Sequence, residues 1–536
     1  MKPQLEFRVL NAIIPVCSML LAGFTLYSNR FFYHDDAYIT LCYVKNWLNG
    51  NGIVWNPGEY VQGYSNFLHL VLIFLFGKLG VDLFWASRII GLAAFAGLVT
   101  VVWLFSNSLP LHVHASALRP ISTILVLTAT PMIVWSIGGL EGTLFSLLTT
   151  TGFCLLLATI KAKRNVWFFA GSAICLGLGF LTRPDGMLFI LVSLIWLAFR
   201  WWRGQEERRN LLAFAVPILT IAISYVFWQI SYYGDYVPTP VYAKTGSLSW
   251  HRLYSGLIYF LAYAFLPPYL PLLVTLSLVQ TAVAKEWNPR LTLLSLLVSV
   301  YVSGIIFIGG DHMQSFRLLL PLIAPMSLML HFSLSSLSYA HSRLFFKRLS
   351  IVIFLLSFMQ LMSGKLNPRH EDPAALLGTI IGKYISNAWP KGSLVALNTA
   401  GSTPYHAPQH RFIDMLGLND PHIAKRRVDK IELLWQLVPG HLKGDGPYVL
   451  SKNPEFIIIG PSHGSKVFYP LFLSDLEIGR DPRFEKHYRM VQVILNREGQ
   501  WVGDAHLQIP REHNIPLLQK EPDEESRLVF TYYRKI

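Results

Sequence analysis

The feature that most constrains this chain is a succession of long apolar runs almost empty of charge. A run of about 18 or more such residues can cross the ~30 Å hydrocarbon core of a bilayer as a helix. Eleven runs reach or approach that length: Val9–Ser28, Ile89–Phe105, Pro120–Ile137, Thr143–Ile160, Val166–Leu181, Met187–Trp202, Asn210–Ser231, Pro268–Ala284, Leu291–Gly309, Leu318–Tyr339 and Leu349–Gly364. Two further stretches do not read as spans. Phe67–Phe76 is too short and is expected to be interfacial or re-entrant, and Arg252–Leu266, followed by Pro267 and Pro268, is expected to lie along the surface. Only 14% of the residues are charged, against about 25% in soluble domains. The expected fold is a polytopic α-helical membrane protein of about eleven transmembrane helices. Val9–Tyr27 lacks a small-x-small cleavage site and reads as a retained anchor.

The net charge of +14 resembles that of a nucleic-acid binder, but the basic residues sit in short runs between apolar segments and no nucleic-acid motif accompanies them. With the N-terminus inside, the cytoplasmic ends and loops hold 15 Lys/Arg, including Lys161–Arg164 and Arg200–Arg209; the opposite loops through Arg317 hold eight. That asymmetry follows the positive-inside rule. Asp35, Asp36, Glu59, Asp82, Glu141, Asp185, Asp235 and Asp311 then all fall on the outer face. Carboxylates beside a bilayer are costly and usually functional, so the chemistry is expected outside. Four cysteines, Cys17, Cys42, Cys154 and Cys175, offer no disulfide framework.

The composition changes at Gly364. The membrane domain is expected over residues 1–364, with residues 29–85 as a first outer loop carrying juxtamembrane helices. Residues 365–536 hold 22 Lys/Arg and 19 Asp/Glu, with β-like runs at Ser393–Asn398, Glu455–Ile459, Tyr488–Leu495 and Leu528–Tyr533. They read as a C-terminal extracytoplasmic α/β domain.

The first outer loop is the richest in candidate chemistry. His34-Asp35-Asp36 opens a helical pattern with Ala37, Leu41, Val44 and Leu48 on one face. Asp35 stands where an N-cap is expected. A carboxylate so placed can instead be a base that takes a proton from a sugar hydroxyl, with its neighbour raising its pKa or helping to hold a metal. Tyr38, Trp55 and Tyr64, in and after that helix, are interfacial anchors or aromatic faces for a sugar. Four motifs at outer span ends mix Gly or Pro with charge: Trp135-Ser-Ile-Gly-Gly-Leu-Glu141, Leu181-Thr-Arg-Pro-Asp-Gly186, the Tyr232–Lys244 segment with Asp235, and Gly309-Gly-Asp-His-Met-Gln-Ser-Phe-Arg317. Any one is a turn with a solvated charge; together on one face they form a candidate site. Arg183, Lys244 and Arg317 suit a lipid phosphate or pyrophosphate. Asp311 with His312 is a weak candidate for a divalent metal.

In these same residues the chain resembles the mycobacterial terminal arabinofuranosyltransferases and their wider bacterial relatives. The resemblance runs in order through Asp35-Asp36-Ala-Tyr-Ile, Val54-Trp-Asn-Pro-Gly-Glu with Gly63-Tyr64, Thr182-Arg-Pro-Asp-Gly186, Tyr233-Gly-Asp with Tyr242-Ala-Lys244, Gly310-Asp-His-Met with Phe316-Arg317, and Phe412-Ile-Asp-Met-Leu-Gly-Leu-Asn-Asp420. It implies a GT-C architecture, an essential Asp on the first outer loop, a polyprenyl-phosphate sugar donor and inverting transfer to a cell-envelope glycan or lipopolysaccharide. By that likeness Asp35 is the first choice for the base and Asp36 the second. Arg183, Lys244 and Arg317 support the leaving phosphate, and Glu141, Asp185, Asp235, Asp311 and His312 contact substrate. The implied location is a bacterial cytoplasmic membrane with the site facing the periplasm. One departure is Gly142, where the family pattern leads to Thr after Leu-Glu. The competing readings are a transporter or flippase for a lipid-linked substrate, and an oligosaccharide ligase with a pyrophosphate donor. Against the transporter stand the absence of an inverted repeat and carboxylates at loop depth.

Overall fold

A computed structural model describes residues 2–108, 119–160, 165–244, 250–336, 343–504 and 527–536; the basic run Lys161–Arg164 lies outside them. Among the described residues, five helices are long and apolar enough to cross a bilayer: Leu83–Ser108, Gly142–Thr159, Arg208–Tyr233, Pro289–Ile308 and Gln314–Ser336. A pair bent by 48°, Pro120–Leu127 and Thr130–Ile137, adds a sixth if it is one span. Val166–Thr182, Gly186–Trp202 and Leu270–Val283 are apolar helices of 17, 17 and 14 residues. Length alone therefore does not yield the eleven expected spans. The shorter helices lose residues to polar or Pro-containing termini, as at Thr182-Arg183-Pro184.

A helix satisfies its own backbone, which lipid requires, so the layout is decided by side chains. Gln314–Ser336 is 94% buried and forms the centre, whereas Arg208–Tyr233 is 11% buried and belongs to the periphery. Small residues allow the close crossings. A Cβ on Gly91 would lie 2.2 Å from the Ser136 carbonyl oxygen, and one on Gly152 would meet Leu176 at 2.8 Å. Trp250–Ala264 packs along Pro289–Ile308, with Gly256 against the Ile306 backbone.

The C-terminal part contains a six-stranded mixed sheet. Its strands are β1 (Leu394–Leu397), β2 (Arg411–Asp414), β3 (Phe456–Ile457), β4 (Tyr488–Leu495), β5 (Trp501–Asp504) and β6 (Leu528–Lys535), in spatial order β2-β1-β3-β6-β4-β5. The first three are parallel and the remainder antiparallel. The four β-like runs of the sequence hold β1, β3, β4 and β6; β2 and β5 are short and were not legible as strands. Asp475 ties the carboxyl ends of β1 and β3 to the helix Leu473–Arg480. It accepts from Asn398 Nδ2 at 2.9 Å and from the amides of Gly460, Leu471 and Phe472.

The 14-residue helix Asp35–Leu48 joins the two parts. Instead of exposing one face it is buried on nearly all sides through Val44, because it lies between Phe67–Lys78 and the C-terminal Ser402–His406 turn. Asn56 extends the seam by exchanging two hydrogen bonds with the Phe412 backbone on β2. Phe67–Lys78, with 12 residues, is about 18 Å long and too short to span.

Burial pushes the Asp475 carboxyl up to about 6, despite the hydrogen bonds it accepts. A folded pKa above the unfolded value means the native state holds the proton more tightly, so this contribution is present below about pH 4 and lost as pH rises through about 6. We expect wild-type protein in detergent to lose on the order of 2–3 kcal/mol relative to Asp475→Asn between about pH 4 and 7, measured by denaturant unfolding at each pH.

Candidate active site

A cavity of about 490 Å³ lies between one end of the membrane helices and the C-terminal sheet. Its membrane wall brings together Asp35, Asp36, Tyr64, Glu141, Arg183, Asp185, Lys244, Asp311, His312 and Arg317. Tyr38, Trp55 and Asp235 do not line it. Tyr38 is buried against Tyr405 and His406, and the Trp55 indole donates to the Ala400 carbonyl at 3.2 Å. Asp235 accepts from the Tyr242 hydroxyl and pairs with Lys425 at 2.6 Å. All three hold the first loop or a span end to the C-terminal domain.

The two neighbouring carboxylates have different surroundings. The N-cap is His34, not Asp35: its Nδ1 accepts from the Asp36 amide at 3.2 Å. Asp35, in the first turn, turns toward the C-terminal domain. There it accepts from the Ser402 amide at 2.8 Å, the Ser402 hydroxyl at 2.6 Å and the Gly401 amide at 3.2 Å. Burial still pushes its carboxyl up to about 6. Asp36, in contrast, accepts no side-chain hydrogen bond from any described residue. Burial would raise its pKa, but His34, Lys244, Arg317 and His312 together hold the carboxyl below its ordinary range. Both carboxylates line the cavity; that of Asp35 is engaged by three donors of the C-terminal domain, and that of Asp36 has no hydrogen bond among the described residues.

The cations are graded in the same way. Arg183 is fully committed, with Nε and Nη2 on Asp185 and Nη1 on Glu141 at 2.9 Å. The struts are braced in turn: Asp185 accepts from the Tyr301 hydroxyl at 2.6 Å and Glu141 from Asn66 Nδ2 at 3.2 Å. Arg183, expected as a phosphate ligand, lines the cavity with two carboxylates on its fork. Arg317 pairs with one carboxylate, Asp311, through Nε at 3.1 Å and Nη2 at 2.8 Å. Lys244 has no ion pair or hydrogen bond among the described residues, and it is open to the cavity.

The donor set does not fit a divalent metal. Among the described residues no three His, Cys, Asp or Glu side chains are grouped to hold an ion, and both Asp311 oxygens are engaged, by Arg317 and by its own loop amides. His34, Asn66, Tyr301, Asn398, Ser402 and His441 were not singled out from the sequence. Asn66 closes the turn-rich stretch that holds Gly63-Tyr64, Tyr301 meets Asp185 only in space, and the last three are separated from the first loop by more than 300 positions.

A family profile described as a domain of unknown function (DUF8728) matches residues 371–510. A terminal β-(1→2)-arabinofuranosyltransferase of Mycobacterium tuberculosis is 27% identical over 223 residues, which cover 39% of this chain and 34% of that protein. The match thus spans about a third of that curated relative. ArnT from Cupriavidus metallidurans, in the apo state, superposes with a TM-score of 0.51 at 12% identity over 79% of this chain and 90% of that one. Its complex with undecaprenyl phosphate gives the same TM-score at 10% identity, over 78% and 88%. The oligosaccharyltransferase AglB from Archaeoglobus fulgidus, solved with an inhibitory peptide and a dolichol-phosphate, gives 0.53 at 12% identity over 93% and 75%.

The chain has the GT-C fold. It is a multi-pass membrane protein whose cavity lies at one end of its membrane helices, beside the C-terminal sheet.

The two carboxylates are separable by experiment. Asp35→Ala leaves two buried amides and a hydroxyl without their acceptor, at about 1–3 kcal/mol each. We expect the peptide around residues 399–406 to lose hydrogen-exchange protection in Asp35→Ala at least tenfold, and to keep it in Asp36→Ala.

Proposed function

We propose that this protein is a glycosyltransferase that moves a sugar from a polyprenyl-phosphate donor to a cell-envelope glycan on the outer face of a bacterial cytoplasmic membrane. The observation that carries this reading is the unpartnered Asp36 carboxylate facing the unpaired Lys244 and the singly paired Arg317 across one cavity. A base and an anion site set opposite each other are what substitution at an anomeric carbon requires. The GT-C fold and the undecaprenyl phosphate in the ArnT complex support the lipid-linked donor, and the arabinofuranosyltransferase likeness supports transfer of a pentofuranose. Lipopolysaccharide remains a second acceptor class under the same chemistry.

In this mechanism the donor phosphate lies on Lys244 and Arg317, with its prenyl chain along the apolar span ends. Asp36 takes the proton of an acceptor hydroxyl. The freed oxygen forms a bond to the anomeric carbon from the face opposite the phosphate, and the carbon–phosphate oxygen bond breaks. The electron pair leaves on the polyprenyl phosphate, where the two cations stabilise it. Charge also orders the steps. In the free enzyme, burial raises the Asp36 pKa but the surrounding cations hold it low, which makes a weak base. A bound phosphate pairs with Lys244 and Arg317 and withdraws that influence, so Asp36 becomes more basic once the donor is in place.

The test uses a strain lacking the gene, which accumulates both the lipid-linked donor and the unmodified glycan. Purified protein, the lipid extract and the glycan fraction of that strain are combined and transfer is followed by glycan analysis. Asp36→Asn is expected to lower kcat about 10²–10⁴-fold. Lys244→Ala is expected to raise the half-saturating lipid concentration about tenfold. Full activity in both variants would remove the base and the anion site together, and would favour a carrier of lipid-linked substrate.

A further inference from the structure

The cavity has a second wall that none of the transferase chemistry above uses. It consists of the residues that follow the parallel strands, chiefly Asn398 after β1 and Leu416 and Leu418 after β2, with His441 and Phe472 from the surrounding loops. The carboxyl ends of parallel strands are where open α/β sheets bind ligands. We propose that this roof is the acceptor subsite, which holds the non-reacting hydroxyls and one sugar face of the acceptor glycan while its reacting hydroxyl reaches Asp36. The proposal rests on the transferase reading and adds to it the place and polarity of acceptor binding.

Asn398 supplies the first observation. It is 3% exposed, and its Nδ2 donates to the Gly460 carbonyl at 3.1 Å and to Asp475 Oδ1 at 2.9 Å. A backbone carbonyl can only accept, so the amide orientation is set and Oδ1 must be the remaining end. Oδ1 is buried and has no partner. Such an acceptor costs about 1–3 kcal/mol unless something donates to it. Among the described residues nothing does, and the residue borders a cavity large enough for a sugar.

His441 supplies the second. Its ring lies nearly parallel to Phe472, at 5.5 Å between centroids and 15° between planes, and edge-on to His312 at 4.9 Å and 72°. Its Nδ1 is buried and also without a partner. The result is an aromatic platform in the cavity wall, one ring of which carries a nitrogen without a partner among the described residues, and Asn398 lines the same cavity. An apolar sugar face with hydroxyls at its edge matches that pattern. A phosphate does not, because Asn398 Oδ1 would repel it, so the roof and the Lys244–Arg317 wall select different parts of the reaction.

The assay above tests the assignment by titrating the two extracts separately. His441→Phe keeps the stacking on Phe472 and removes the ring nitrogens, and Phe472→Leu removes the platform. Both are expected to raise the half-saturating concentration of the glycan fraction about tenfold, leaving that of the lipid extract within about twofold. The thermal shift on adding undecaprenyl phosphate reports folding and the donor side without turnover, and it is expected to match wild type. An unchanged glycan dependence, or a shift confined to the lipid extract or shared equally with it, overturns the roof as the acceptor subsite. A wild-type protein that transfers nothing while binding undecaprenyl phosphate overturns the transferase reading itself.

Discussion

The Asp35 carboxylate against Gly401 and Ser402 is the contact on which the site depends. It fastens a helix of the membrane part to a turn of the C-terminal domain across more than 360 positions of sequence. The approach is so close that a Cβ on Gly401 would lie 2.1 Å from the Asp35 carbonyl oxygen and 2.6 Å from Oδ2, which only glycine permits. Burying the carboxylate is costly, and three donors offset much of that cost. The surplus burial penalty shows in its raised pKa. Because consecutive residues on a helix point about 100° apart, fixing Asp35 toward the domain also fixes Asp36 toward the cavity. One carboxylate holds the roof and thereby aims the other.

Charge in the cavity is arranged by the degree of pairing more than by its total. Arg183, with two carboxylates, is a strut in a cluster of net negative charge; Arg317 is matched one-to-one by Asp311; Lys244 has no ion pair among the described residues. Buried ion pairs contribute little net stability once desolvation is counted, yet breaking one is expensive. The Glu141–Arg183–Asp185 triad with Tyr301 therefore acts as a rigid floor joining the ends of three spans. Burial alone would raise the Asp311 pKa, but Arg317, His312 and Lys244 hold its carboxyl well below the ordinary range. Arg317 thus stays in place without losing all its attraction for an anion.

The apolar helices and the β-like runs were legible because each is a local pattern, a long uncharged run or a short alternating one, although only five or six of the eleven expected spans are long and apolar enough to cross among the described residues. The outer-face motifs were legible as a set for a related reason. A charged residue beside Gly or Pro at a span end has few places to go, and five of the eight acids assigned to one face by loop charge (Asp35, Asp36, Glu141, Asp185 and Asp311) line the cavity. What each residue does there was not legible. Asp35 and Asp36 are adjacent and chemically identical, and only the position of Ser402 separates their surroundings. Arg183 resembles Lys244 in sequence context, but Asp185 and Glu141 close on it from two loops. Tyr38, Trp55 and Asp235 carry the same signature as true wall residues, yet they serve the seam between the two parts. Asn398 and His441 gave no signal at all, since a single polar residue after a strand is ordinary until the cavity beside it is seen.

The location of the seam explains why a membrane helix bundle carries a soluble sheet. A carboxylate and a lysine without an ion pair among the described residues, at the open end of a bundle, would face bulk water, where their influence on one another is weak. Covering them with a domain lowers the local dielectric and strengthens that influence. A cover made only of apolar loops could do that equally well. The roof instead presents Asn398 with a fixed, unfilled acceptor and His441 with an unfilled ring nitrogen. Leaving buried polar atoms unpaired is destabilising for a simple lid, and it makes physical sense when a ligand supplies the missing donors.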